Sequence, residues 1–205
     1  MTRAAAGSGI SGGVAVADGA GGLAAVGGLA AGRGLTVLAE AAWPGAGDSA
    51  PPSLAGFVVS SFSPIAAEAA DRCLAQRYGS GPADPAEGTG TAVVVVSTRG
   101  DLATAVAVAD SVEAGRPASP LLFFQSVPNA VVGYVARKWG LAGPVVCVGA
   151  SGDPMAEGLD EAQLLIEDGD ATAALILLVE PAAGAVPDSA TALLVTARFE
   201  GDHDD

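Results

Sequence analysis

Thr91-Ala92-Val93-Val94-Val95-Val96-Ser97 is the stretch on which the fold class turns. Its consecutive valines give an unbroken β-branched run with no polar face. A strand with one wet side alternates apolar and polar residues, so an uninterrupted run belongs to a strand covered on both faces. That requires helices on either side of a sheet, the layered α/β arrangement. The flanks agree. Upstream, Ile65 to Tyr78 is rich in helix formers and closes at Gly79, a C-terminal stop signal. Residues 79–90 are Gly, Pro and acidic residues and read as a surface connection. Downstream, Asp101 to Gly115 reads as a helix, with Leu102, Ala105, Val106, Ala109 and Val112 at helical spacing.

The alternation of strand and helix continues toward the C-terminus. Leu121-Leu122-Phe123-Phe124 reads as a short strand or a buried turn, and Ser126 through Trp139 as a helix with Asn129 a candidate N-cap. Gly140 and Gly143-Pro144 end that helix, and Val145 to Val148 is a further buried strand. Met155 to Glu167 reads as a helix with Leu159, Ala162, Leu165 and Ile166 on one face. Ala173 to Val179 and Ala190 to Thr196 give two last apolar strands. The N-terminal third is less decided. Residues 1–13 read as a flexible arm, Val14 to Ala17 as a short strand, and the glycine-rich stretch to Gly34 is open. Leu35 to Ala42 fits a strand or a helical turn, residues 44–53 are a loop by composition, and residues 201–205 are an acidic tail expected to be disordered. One domain over residues 14–200 follows.

Composition excludes several classes of function. Nine basic against 23 acidic residues give a formal net charge of −14, which repels polyphosphates and anionic lipid surfaces, so neither nucleic acid nor a membrane is an expected partner. No apolar stretch reaches the length of a membrane span, and Met1-Thr2-Arg3-Ala4 leads into glycines instead of an apolar signal core. A cytoplasmic protein is expected. Cys73 and Cys147 are too few for a disulfide framework and have no metal-ligand spacing. Cys147, inside Val145-Val146-Cys147-Val148, reads as a small buried hydrophobe. No metal or cofactor is implied.

Three local patterns invite a functional reading. Gly7-Ser8-Gly9-Ile10-Ser11-Gly12 satisfies G-x-G-x-x-G, but no strand precedes it and no helix follows, so it is not read as a dinucleotide site. Gly149-Ala150-Ser151-Gly152-Asp153 lies between a strand and a helix, the setting of a nucleophile elbow. Its last position is Asp153 instead of glycine, and the sole histidine, His203, lies in the acidic tail, so Ser151 has no evident base. The plainer account has Ser151 or Asp153 capping the helix, with Pro154 in its first turn. Arg137-Lys138-Trp139 ends a helix, where cations meet the dipole favourably; the alternative is a docking patch with Trp139 as anchor.

Residues 123–180 carry a resemblance. Phe124-Gln125-Ser126-Val127-Pro128-Asn129-Ala130-Val131-Val132-Gly133-Tyr134, then Gly140-Leu141-Ala142-Gly143-Pro144, an apolar strand and the helix from Met155, resemble the β-ketoacyl synthases in order and spacing. Gly169-Asp170-Ala171 with the strand to Glu180, and Ser97-Thr98-Arg99-Gly100 upstream, fit the same family's turns. More narrowly, the chain resembles short ketosynthase N-terminal-like proteins of the chain-length-factor kind, found in polyketide and aryl-polyene pathways. The resemblance implies a thiolase-like layered fold equivalent to the N-terminal half of a ketosynthase.

It also implies where chemistry would sit. Counted from Gly143-Pro144, the family's active-site cysteine falls at Gly152, which has no side chain to accept an acyl group, and Cys147 lies five residues earlier, inside the strand. The family's two catalytic histidines come from the other half of its fold. A non-catalytic subunit in polyketide or fatty-acyl biosynthesis is therefore expected, acting through a ketosynthase partner or self-association, with Ser126, Asn129, Tyr134, Arg137, Lys138, Trp139, Ser151, Asp153 and Met155 as candidate binding or interface residues. Acyl carrier proteins are typically acidic, so the charge of this chain disfavours one as primary partner. The alternatives are acyl transfer or hydrolysis at Ser151, and a homodimer that holds an acyl chain.

Overall fold

The computed structural model describes residues 19–117, 119–182 and 186–198. The arm at 1–13, the strand expected at Val14 to Ala17 and the tail at 201–205 lie outside the described residues. Twelve elements follow in order: α1 (Gly19–Ala31), β1 (Leu35–Trp43), α2 (Phe62–Tyr78), α3 (Pro85–Thr89), β2 (Thr91–Ser97), α4 (Leu102–Glu113), α5 (Pro120–Gln125), α6 (Asn129–Trp139), β3 (Val145–Gly149), α7 (Pro154–Glu167), β4 (Ala173–Glu180) and β5 (Ser189–Ala197).

The strands form one five-stranded sheet in the order β1-β5-β4-β2-β3. β2 runs parallel to β3 and β4, whereas β4–β5 and β5–β1 are antiparallel. All seven residues of β2 are buried, as its valine run requires. Successive side chains point to opposite faces. Val93 and Val95 join Phe62, Ile65 and Leu74 of α2 and Trp139 of α6 in one core. Val94 and Val96 join Leu159 and Ala162 of α7 and Ala30 of α1 in the other. Each large side chain so buried contributes about 1.5–3 kcal/mol relative to exposure. The layered α/β architecture expected from the sequence is the one observed.

Several expectations need correction. The stretch 121–124 is neither strand nor buried turn. It belongs to the short helix α5, begun by Pro120, and leaves Leu121, Phe123 and Phe124 exposed. α4 has the expected bounds, but only Thr104 is buried, and Leu102, Val106 and Val112 face outward. β3 is an edge strand whose residues alternate between exposed and half-buried, so it is not a buried strand and Cys147 is exposed. Asn129 is the first residue of α6 and does not cap it; Pro128 holds that position. The connection 79–90 contains α3, capped by Asp84. The glycine-rich stretch resolves into α1, and Leu35–Trp43 is a strand.

Glu40 on β1 carries one internal liability. Its Oε2 is buried without a hydrogen-bond partner among the described residues, and burial raises the carboxyl above its ordinary value of 4.5. A folded-state value above the unfolded one means that the native form binds the proton more tightly. The associated stability is full below about 4.5 and is lost as pH rises through the elevated value. Glu40→Gln is therefore expected to melt a few degrees above the wild type at pH 7, with the gap closing near pH 4 in thermal unfolding followed by circular dichroism.

Candidate functional site

The site lies where β3 passes into α7; among the described residues β3 is the sheet edge, and β2 is its one neighbour. Ala150 N–H donates to the Ser97 carbonyl at 3.0 Å, extending the parallel ladder one residue past the strand. The chain then turns. Asp153 is the N-cap of α7: its Oδ1 accepts from Met155 N–H at 2.9 Å and Ala156 N–H at 3.2 Å, with Pro154 at the first helical position. The capping role expected for this turn falls to Asp153, and Asp153→Ala is expected to lower stability by about 1 kcal/mol in urea unfolding.

Glu157 closes the turn from the other side. Its Oε1 accepts from Gly152 N–H at 2.6 Å and Ser151 N–H at 3.1 Å, and Ser151 Oγ donates to the same oxygen at 3.4 Å. Carboxylates at a helix N-terminus are electrostatically favoured, because the first amides lack intrahelical acceptors. Among the described residues, Ser151 thus meets a carboxylate, and Gly152 offers no side chain. Met155 is half-buried against the α7-side core.

A shallow cavity of about 290 Å³ adjoins the turn, lined by Ser97, Arg99, Pro128, Cys147, Val148 and Gly149 among others. It opens at the carboxyl ends of β2 and β3. Partial desolvation pushes the Cys147 thiol up, away from thiolate character at neutral pH. Ser126 Oγ donates to the Phe123 carbonyl at 2.7 Å and so closes α5. Asn129 and Tyr134 are exposed on α6, just after Pro128 of the cavity wall.

Arg137, Lys138 and Trp139 are at the far end of α6, about 15 Å along the helix from Pro128. Trp139 is buried, and its indole N–H donates to Asp71 at 2.6 Å. Lys138 Nζ pairs with the other oxygen of Asp71 at 2.7 Å, a hydrogen bond that raises the lysine's pKa. These two residues tie α6 to α2. The docking-anchor reading of Trp139 is thereby overturned, because its ring is part of the core.

Sequence reasoning missed three residues at this site. Glu157 was not singled out, Cys147 read as a small buried hydrophobe, and Arg99 as part of a turn. One signal was available for the first: a glutamate in the opening turn of a helix that already has an Asp cap and Pro. The surface holds a further regularity. No acidic residue occurs between Glu113 and Asp153, although the chain carries 23. That stretch supplies α5, α6 and β3, with Leu121, Phe123, Phe124, Val127, Tyr134 and Val145 among the exposed large apolar side chains.

The described residues thus form a mixed sheet with helices on both faces, and a turn at the carboxyl end of its edge strand opens α7. Residues 59–189 match the family of the β-ketoacyl synthase N-terminal domain, and the chain belongs to that family. No curated protein matches it by sequence. Among solved structures, it is similar to a chain of the ketosynthase in complex with its chain length factor from Xenorhabdus doucetiae: 22% identity, TM-score 0.60, covering 79% of this chain and 78% of that one. The ishigamide ketosynthase/chain length factor gives 20% identity and TM-score 0.56, over 77% of this chain and 50% of that one. A β-ketoacyl synthase from Burkholderia phymatum STM815 gives 16% identity and TM-score 0.59, over 74% and 46%. The matched part thus spans about half of the latter two chains. At these identities the likeness is one of fold.

Proposed function

We propose that this chain is a non-catalytic, chain-length-factor-like subunit that acts by associating with a ketosynthase in polyketide or fatty-acyl assembly. The observation that carries the reading is position 152. There the resemblance calls for a thiol nucleophile, and the chain has a glycine whose amide is held by Glu157 at 2.6 Å. Acyl transfer through a covalent thioester needs a nucleophile and a group to activate it, and this turn has neither. Ser151 is a poor substitute, because the group facing its hydroxyl is a carboxylate already engaged with backbone amides.

The exposed edge supports association. Among the described residues β3 has one side of its backbone without a partner strand, and unpaired edges are templates for another chain. Val145 of β3 is exposed, as are Leu121, Phe123 and Phe124 of α5, the helix that precedes α6. Apolar surface of this kind marks an interaction site in a stable protein. The absence of acidic residues from 114 to 152 matters here, because a chain at −14 meets most proteins through a repulsive field. A ketosynthase is the occupant we assign to this face, by analogy with the Xenorhabdus complex, whose chains are a ketosynthase and its chain length factor.

The test is the native mass of the full chain, alone and mixed with a ketosynthase from its own gene neighbourhood. A stoichiometric heteromer is the expected result. A homodimer that ignores the synthase, or a monomer under both conditions, overturns the reading. The homodimer would direct attention to acyl binding in the 290 Å³ cavity.

A further inference from the structure

The turn at 151–153 has more hydrogen bonding than capping requires. Asp153 already satisfies the amides of Met155 and Ala156. Glu157 adds a carboxylate that takes the amides of Ser151 and Gly152, one residue before the cap and two. The effect centres on residue 152. A Cβ built on Gly152 would lie 3.2 Å from Glu157 Oε1 and within 4 Å of no other heavy atom outside its chain neighbours. Gly152 is also not among the glycines with positive φ, so its backbone accepts an ordinary side chain. The backbone permits a side chain at 152, and the one tight contact is with a carboxylate at the end of a flexible side chain, which must give by a few tenths of an ångström.

That charge opposes what a helix N-terminus otherwise does. The start of a helix lowers the pKa of a thiol placed on it and offers free amides to a developing anion. With Glu157 in place, the two amides nearest residue 152 are occupied. A carboxylate 3.2 Å from the Cβ position disfavours an anion carried by that side chain. We propose that Glu157 is a second lock on this position, independent of the missing side chain: an internal carboxylate that keeps residue 152 hostile to a nucleophile even when one is supplied. The inference rests on the non-catalytic reading and deepens it. A single reversion at 152 does not restore thiolate chemistry, and neutralising residue 157 is the further step that does.

The test places a reporter thiol at the position and reads its ionisation. Cys147→Ser removes the exposed native thiol, and Cys73 stays silent because it is buried and burial pushes its thiol up to about 12. In that background, Gly152→Cys is compared with Gly152→Cys/Glu157→Gln by iodoacetamide alkylation from pH 6 to 10 on the folded full chain. The expected result is an apparent thiol pKa lower by about one unit in the Gln variant, with alkylation at pH 7 about tenfold faster. Coincident profiles, or a slower Gln variant, overturn the proposal. Should the cysteine variants not fold, hydrogen exchange of the Ser151 and Gly152 amides in wild type and Glu157→Ala decides the matter. Faster exchange at those two amides, with Leu159 to Ile166 unchanged, supports the lock, and unchanged exchange overturns it. None of these readouts involves a partner. Coincident profiles in a chain that still forms the heteromer sink the lock alone, whereas separated profiles in a chain that forms none sink the subunit reading alone.

Discussion

Cys147→Lys is expected to abolish assembly with the ketosynthase while leaving the fold intact. Cys147 is the middle residue of β3 and is exposed, so a lysine there reaches solvent in the free chain without displacing core. In an assembly paired along β3, the same ammonium stands on the sheet face beside the added strand, over the cavity that also holds Arg99, and the partner covers it. Lysine on an edge strand is the device by which natural sheets refuse further strands, because an unpaired charge has no favourable place in the new ladder. Burying it without a partner costs about 3 kcal/mol or more, which corresponds to at least a hundredfold loss of affinity. Calorimetric titration against the ketosynthase reads the affinity, and thermal unfolding of the free chain reads the fold. Leu164→Lys is the matched control: Leu164 is exposed on α7, away from the edge, and its substitution is expected to change neither. A lysine at 147 that binds as well as wild type removes β3 from the interface.

That prediction depends on a surface the sequence only half disclosed, and the reasons are physical. The fold class was legible because Thr91–Ser97 admits one environment: seven residues without a polar face need cover on both sides. The start of α7 was legible too, as a capped turn with Pro154 in its first turn, although the reading left the cap to Ser151 or Asp153 and the structure gives it to Asp153. β3 failed this test. Val145-Val146-Cys147-Val148 is apolar throughout, like β2, but the run does not say whether one neighbour or two will cover it. Among the described residues one side of β3 has no partner strand. The same reasoning inverted Leu121–Phe124. Four apolar residues are too few for periodicity to separate strand from helix, and large apolar side chains were assigned to the inside. They are exposed, as an interaction surface requires. Trp139 was misread in the opposite direction, because its neighbours Arg137 and Lys138 suggested a surface while Asp71, far away in sequence, holds the indole in the core. Glu157 needed the turn itself: its partners at 151 and 152 depend on how the chain bends before the helix begins.

α7 is held at the distance that makes this turn by Gly158, and filling that position is expected to be the most damaging single change in the helix. A Cβ on Gly158 would come 2.8 Å from Ile176 Cγ2 and 3.1 Å from Val96 Cγ2. Both partners are fully buried on neighbouring strands of the sheet, and a packed β-branched side chain has no second rotamer to offer there. Gly158→Ala gains up to about 1 kcal/mol in helix propensity and loses more to overpacking, which costs about 1–3 kcal/mol. Gly158→Val adds two further methyl groups in the same direction, with an expected loss of about 3 kcal/mol, or about 10 °C in melting temperature for a chain of this size. The contrast is Gly133 on α6, where a Cβ meets nothing within 4 Å. Gly133→Ala is expected to stabilise by about 0.5–1 kcal/mol, so one chemical change has opposite signs on two helices. The helix that Gly158→Val lifts from the sheet carries Asp153 and Glu157 at its start, so the amides of Ser151 and Gly152 are expected to exchange faster in this variant as well. A Gly158→Val chain that melts with the wild type means the sheet yields where Ile176 and Val96 stand, and the spacing of α7 is then set elsewhere.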